Sequence, residues 1–306
     1  MTDNTVEVGA LDDVGLVRAL QERSAANDSI VYAHRVYAET AALAARHGLL
    51  APRAVLELGP GVNLGALFCF VASGVRKAAG VDVAPLPAAP FSFYETLRDY
   101  VMAVEGFVWW RAWTTHSPSL ASFPSVASFP DANKLLTRID YRSGITSEAL
   151  PFGETEFDLI YSVAALEHVA DPRGTVAEMW RTLLPGGLAV HEIDLKHHGC
   201  ADPLKFLEWD EVEWRRRARP YGADLSLEGI LNGTFAGEVF CNRLRQSDWI
   251  VAFSEAGFSI EGVEPVIMLD AAQVRPERFI PAFRSRPLDD LRTLAFRVVV
   301  RRPVDT

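Results

Sequence analysis

This 306-residue chain is poor in cysteine, in lysine and in clean apolar runs. Its three cysteines, Cys69, Cys200 and Cys241, are odd in number and widely spaced. That excludes a disulfide framework and a metal site of the CxxC kind, and it fits a reducing, cytoplasmic setting. Only Lys77, Lys134, Lys196 and Lys205 are lysines among thirty basic residues, and forty acidic residues bring the formal charge to −10. Nucleic acid is not expected as a partner, because phosphate binding needs a basic surplus on some face. The most apolar stretch, 54–75, contains Glu57, Pro60 and four glycines, which makes it a poor membrane span. Residues 1–13 are acidic and lack the basic-then-apolar order of a signal peptide.

What is present is enough apolar material for a sizeable core: 49% apolar residues against 23% charged. The length allows one large domain or two small ones. Residues 11–50 read as two helices, with Tyr32, Val36 and Leu43 on one face of the second. Residues 54–58 read as a buried strand. They are followed by a glycine turn, a helix over 64–73 and a strand over 79–83. Further strands are expected at 135–139, 157–162, 188–193, 258–263 and 294–300. Asp171 and Pro172 predict a helix start, as N-cap and first helical residue. Pro185 to Gly187 predict the stop of that helix. Ser247 is expected to cap a further helix ended by Gly257. Strand–turn–helix–strand alternation of this kind predicts an α/β fold with a parallel sheet.

Two 50-residue stretches, 85–134 and 196–245, interrupt the alternation. Structureless loops of that length are uncommon inside a compact domain, so each is expected to carry its own helices. The first holds ten of the 31 aromatic residues, among them Trp109, Trp110 and Trp113. These either wall a pocket for an apolar or ring-shaped ligand or pack the extra helices. The short repeat at 121–124 and 127–130 reads as a turn-rich loop. The expected organisation is an N-terminal helical cap segment, 1–52, and a core, 53–306, carrying cap insertions at 85–134 and 196–245. A homo-oligomer contact, if formed, is expected through the N-terminal helices or the aromatic insertion.

The chemistry is concentrated in Glu57-Leu58-Gly59-Pro60-Gly61-Val62-Asn63-Leu64-Gly65. Glycines let a backbone approach a ligand closely, and the helix start beyond them offers N–H groups. The spacing is G-x-G-x-x-x-G, one residue longer than the dinucleotide fingerprint. Asp82 ends the next strand, where an acid accepts two hydrogen bonds from a ribose diol.

Together with Val81-Asp82-Val83, Leu150-Pro151-Phe152, Phe157-Asp158-Leu159-Ile160, Leu166-Glu167-His168-Val169, Asp171-Pro172 and Leu184-Pro185-Gly186-Gly187, this segment resembles the class I S-adenosylmethionine-dependent methyltransferases. The second half, with His191 to His198, Trp214 and 242–245, is similar to the small-molecule methyltransferases of glycan and natural-product gene clusters. Those often carry Asp-His where this chain has His197-His198. The resemblance implies a Rossmann-like seven-stranded, mostly parallel sheet flanked by helices, the last strand antiparallel, with S-adenosyl-L-methionine over the strand ends. It implies that Glu57, Gly59 and Gly61 surround the methionine part, that Asn63 also contacts the cofactor, and that Asp82 holds the ribose. Asp140 and Tyr141 would lie by the adenine, and Ser162 and Val163 below the sulfonium. The expected partner is a small-molecule acceptor, methylated at a hydroxyl or at carbon.

A hydroxyl acceptor needs a general base, and His198 and His168 are the catalytic candidates. Glu167, Asp194 and His197 are weaker ones. His191, His197, His198, Asp194 and Asp202 are metal-ligating types, but no HExxH spacing is present and no metal is expected. Arg215, Arg216, Arg217 and Arg219 read as a solvated face beside acids. A nucleotide-cofactor oxidoreductase and a non-catalytic cofactor-binding subunit are the rival functions.

Overall fold

The computed structural model describes residues 30–83, 89–116, 131–198, 200–219 and 238–304, with side chains of 105–116, 219 and 238 outside that description. The first predicted N-terminal helix, the repeat at 121–130 and the side chains of Trp109, Trp110 and Trp113 therefore lie outside the described residues.

The elements in chain order are α1 (Ile30–Arg46), β1 (Ala54–Leu58), α2 (Gly65–Ala72), β2 (Lys77–Asp82), α3 (Phe91–His116), α4 (Ala132–Leu136), β3 (Ile139–Ser143), β4 (Phe157–Val163), α5 (Pro172–Thr182), β5 (Leu183–Asp194), α6 (Glu211–Arg217), α7 (Gln246–Glu255), β6 (Ser259–Met268) and β7 (Thr293–Arg301). The seven strands form one sheet of order β3-β2-β1-β4-β5-β7-β6. β3, β2, β1, β4 and β5 pair in parallel. β7 runs antiparallel to both β5 and β6. The fold is the expected Rossmann-like, mostly parallel sheet flanked by helices.

Side-chain alternation divides the core. Val55, Leu159, Tyr161, Leu188, Val190 and Val299 face α1, α2 and α3. Leu56, Leu58, Ile160, Ala189, Phe296 and Val298 face α5 and α7. Strands buried on both faces read as unbroken apolar runs, which is why β1 and β4 are so plain in the sequence. All eight residues of α2 are buried, because α1 and α3 cover its outer side. The second insertion builds a third cluster, with Phe206, Trp214 and Cys241 packed on Phe279, Phe283 and Leu291.

Three local expectations are corrected. Residues 132–136 form a helix, capped by the Asp131 carboxylate at the Lys134 N–H (2.8 Å), and the strand begins only at Ile139. The local N-cap outweighs the apolar character of Leu135 and Leu136. α5 ends at Thr182, ahead of Pro185, and β5 already begins at Leu183. The N-cap of α7 is Arg245 rather than Ser247, with Asp248 accepting the Arg245 N–H at 2.8 Å. Ser247 instead donates its hydroxyl to Asp290. Asp171 caps α5 through the Gly174 N–H, as predicted. No helix among the described residues is long and apolar enough to cross a membrane.

Candidate functional site

The carboxyl ends of β1, β2 and β4 open into a cleft of about 280 Å³. The turn after β1 forms its floor. Gly59 takes φ +69°, and a Cβ there would sit 2.7 Å from the Ala165 Cβ, so glycine is required twice over. The Gly59 N–H donates to Val81 O (2.9 Å), tying the turn to β2. Gly61 is also left-handed, and among the described residues nothing stands within 4 Å of where its Cβ would be.

Asp82 ends β2 at the cleft and accepts the Gly61 N–H at 3.1 Å. Glu57 sits on β1 opposite Tyr161 of β4, 7% exposed, and its Oε2 has no hydrogen-bond partner among the described residues. Burial pushes the Glu57 carboxyl from 4.5 up to about 8; the neighbouring Tyr161 hydroxyl draws it down and the Asp82 charge adds to the rise. Asn63 lies in the loop before α2, where its Oδ1 accepts the Gly65 N–H (2.8 Å).

A test on stability follows. Between about pH 4.5 and pH 8 the unfolded chain ionises Glu57 while the folded chain keeps its proton. The group therefore costs stability increasingly as pH rises through that window. Glu57→Gln removes the cost, which is at most about 5 kcal/mol. Its melting temperature is expected to match the parent near pH 4.5 and to exceed it at pH 8. A parent protein more stable than the variant at pH 8 would contradict this.

Asp140 and Tyr141 are mid-strand in β3, and Arg142 holds Asp140 at 2.7 Å. The cleft wall beyond β3 is made by Ile145 to Glu148. Ser162 and Val163 are the last residues of β4 rather than residues beyond it. Ser162 is buried, its hydroxyl 2.8 Å from His191 Nδ1, and that ring stacks on Phe253 of α7. The wall beyond β4 is formed by Ala164, Ala165 and Leu166, with Ala164 at φ +50°. A strand-end alanine in that region carries no recognisable sequence signal.

On the far side of the cleft the structure gathers a polar cluster. The turn Leu166–His168 follows β4, and His168 lines the cleft beside Phe240. His168 Nδ1 is 2.7 Å from the Phe240 carbonyl, a bond that fixes the proton on Nδ1. His198 stands behind it, the two rings edge-to-face at 4.9 Å. Asp194, the last residue of β5, is 3.5 Å from His198 Nε2. Glu167 Oε1 lies 3.8 Å from His168 Nε2 and 3.9 Å from His198 Nε2. Burial lowers the His168 imidazole to about 4 and holds Glu167 well above the usual carboxylate range. The order of the two catalytic candidates is thereby reversed at the cleft: His168 lines it, and His198 is not among the lining residues. From the end of the second insertion Phe240 lines the cleft and Cys241 Sγ stands 4.0 Å from His168 Nδ1, with no local sequence signal to mark either. His197 stacks on Phe206 and is flanked by Trp209 and Trp214, in the third core cluster. Arg215, Arg216 and Arg217 pair with Glu211 and Glu213 on α6, the solvated face expected.

Residues 125–191 match the family described as Methyltransferase domain. Within the described residues that segment runs from α4 through β4 and α5 into β5. A 52-residue stretch is 35% identical to the ubiquinone biosynthesis O-methyltransferase of Maricaulis maris (strain MCS10), covering 17% of this chain and 20% of that one. The chain thus matches a fifth of the length of its curated relative. Among solved structures, a candidate sarcosine dimethylglycine methyltransferase from Galdieria sulphuraria is similar at 16% identity and TM-score 0.46, over 88% of this chain and 86% of that one. An S-adenosylmethionine-dependent methyltransferase from Mesorhizobium loti is similar at 19% identity and TM-score 0.40, over 81% and 90%. The matched segment is that of a methyltransferase domain, and it lies within the seven-stranded sheet of order β3-β2-β1-β4-β5-β7-β6.

The residues present fit S-adenosylmethionine, the cofactor implied by the resemblance. Among the described residues a buried carboxylate oxygen of Glu57 lacks a partner, an acid ends β2, and there is free space beside the Gly61 Cα.

Proposed function

We propose that the chain transfers a methyl group from S-adenosylmethionine to a small-molecule acceptor, a hydroxyl of a secondary metabolite or sugar-derived compound. One observation carries the reading. A single cleft has Asp82 and the Gly59 turn at one end and His168 at the other, so a ligand lying on the strand ends meets the histidine cluster. The name of the Maricaulis maris relative specifies O-methylation, which supports a hydroxyl acceptor.

S-adenosylmethionine supplies the electrophilic methyl group when bound, and the protein's share of the work is positioning. Asp82 accepts the ribose hydroxyls. Glu57, Gly59 and Gly61 surround the methionine portion, whose ammonium gives the Glu57 carboxyl the cation it lacks. Ile145 to Glu148 close over the base. The cluster of Glu167, His168, Asp194 and His198 faces the acceptor and takes up the proton its hydroxyl loses.

His168→Ala and His198→Ala are each expected to lower kcat by about 10²-fold or more. Affinity for S-adenosylhomocysteine should stay within about threefold, because neither ring belongs to the end of the cleft formed by Asp82 and the Gly59 turn. Turnover is measured with labelled S-adenosylmethionine on a panel of hydroxylated metabolites. Full activity of both variants would remove the cluster from the reaction.

A further inference from the structure

We infer that Asn242 is a positioning residue, which sets the place of His168 in the cleft by clamping the turn after β4 to the end of the second insertion. The consequence for catalysis rests on the methyl-transfer reading; the clamp itself is measured without turnover.

A one-turn helix leaves most of its carbonyls to outside donors. In the turn Leu166–His168 the His168 N–H reaches Ala165 O (3.1 Å) and the Val169 N–H reaches Leu166 O (3.3 Å). Asn242 supplies the outside donors. Its backbone N–H donates to Glu167 O (2.7 Å), and its side-chain Nδ2 donates to Leu166 O (2.8 Å) and Val169 O (3.3 Å). One residue thus serves three of the four carbonyls of 166–169. Its Oδ1 accepts the Leu244 N–H (3.2 Å), which fixes the amide with its N–H groups toward the turn. Two residues earlier in the same segment, the Phe240 carbonyl accepts the Nδ1–H of His168 (2.7 Å). The backbone of the turn and the ring it carries therefore hang from one strap, 240–242.

The strap is the fixed partner in this arrangement. Arg243, the residue after the clamp, stands at φ +61°, an unfavourable region for any residue with a Cβ. Such backbone persists only where the surroundings over-determine it. Here the buried Arg243 guanidinium donates to Phe206 O (3.1 Å) and Trp209 O (2.7 Å) and pairs with Glu211. Two residues on, Arg245 donates to Leu195 O (2.8 Å), just beyond β5. The strap is thereby anchored to the third core cluster and to the sheet, and the turn is positioned against it.

Asparagine is the residue this clamp needs. A carboxylate of the same shape would set an oxygen against two carbonyl oxygens, and alanine would leave both without a donor. A turn so loosened lets the His168 ring shift and meet water. The titratable groups facing that ring are Glu167 on the turn itself, Cys241 on the strap, and Asp194 and His198 at and beyond the end of β5. Catalytic geometry tolerates little of this, since a displacement of about 1 Å can lower a rate roughly 10²-fold.

The test compares the full chain with Asn242→Ala and the same-shaped Asn242→Asp. The His168 imidazole is titrated by NMR, S-adenosylhomocysteine affinity is measured by calorimetry, and turnover is followed on an accepted hydroxylated metabolite. Both variants should raise the His168 midpoint by at least about one pH unit, because water, and in Asn242→Asp a nearby anion, favours the imidazolium. The acid limb of the kcat profile should move up with it. kcat should fall roughly 10- to 100-fold, while KM for S-adenosylmethionine and the affinity for S-adenosylhomocysteine stay within about threefold. Intact S-adenosylhomocysteine binding certifies the fold. If Asn242→Ala fails to fold, Asn242→Asp carries the test, because it keeps the backbone bond to Glu167. An unmoved His168 titration overturns the inference. So does loss of S-adenosylhomocysteine affinity in both variants, the mark of a merely structural role, or a moved titration with kcat within about twofold of the parent. A moved titration in a chain that turns over no acceptor counts against methyl transfer and leaves the clamp standing.

Discussion

Arg245→Leu is expected to destabilise the protein by about 3–5 kcal/mol, a large share of the stability of an ordinary domain. Arg245 is fully buried and donates to Leu195 O (2.8 Å), Leu291 O (3.1 Å), Asp290 O (3.2 Å) and Thr293 O. These carbonyls belong to the chain just beyond β5 and to the approach to β7. The guanidinium therefore ties the start of α7 to the end of the β5–β7 pair, where Asp194 stands opposite Ala295 and the Leu195 N–H donates to Leu294 O. Leucine fills part of the volume and leaves the carbonyls orphaned, each costing about 1–3 kcal/mol, offset in part by the charge no longer buried. That charge is itself strained: burial lowers the Arg245 guanidinium to about 10. Arg245→Lys should fall between, since one ammonium cannot reach all four oxygens. Denaturant unfolding measures the loss. A cost below about 1 kcal/mol for Arg245→Leu would show that water replaces the guanidinium without penalty.

Asp82→Ala is expected to weaken S-adenosylmethionine binding by roughly 30- to 1000-fold. Two hydrogen bonds from a diol to a carboxylate are worth about 2–4 kcal/mol together in a site closed to water. Asp82 is 6% exposed and also accepts the Gly61 N–H, so the substitution loosens the turn that faces the ligand. Asp82→Asn keeps one acceptor and should lose less. The fold should survive, because removing this charge eases Glu57, whose carboxyl Asp82 helps to push up. Calorimetric titration of both variants decides the matter. An affinity within about threefold of the parent would detach Asp82 from the cofactor.

The sequence made the local pieces legible and left the long-range ones hidden. β1, β2 and β4 stand out because strands buried on both faces are continuous apolar runs, and the Gly59 turn because only glycine fits against Ala165. Residues 132–139 were harder: the apolar pair Leu135 and Leu136 suits strand or helix, and the Asp131 cap decides. Ser162 is placed near the site by position alone, and its partner His191, 29 residues away in sequence, is visible only in the fold. Glu167 and Asp194 were minor candidates, and Phe240 and Cys241 were not candidates. Their meeting with His168 and His198 spans up to 75 positions in sequence, and no spacing rule encodes it.

The most direct test of cofactor use is a calorimetric titration of the intact chain with S-adenosylhomocysteine and, separately, with NADH. One S-adenosylhomocysteine per chain, displaced by S-adenosylmethionine, and no binding of NADH is the predicted result. Tight NADH binding with none of S-adenosylhomocysteine would contradict the account.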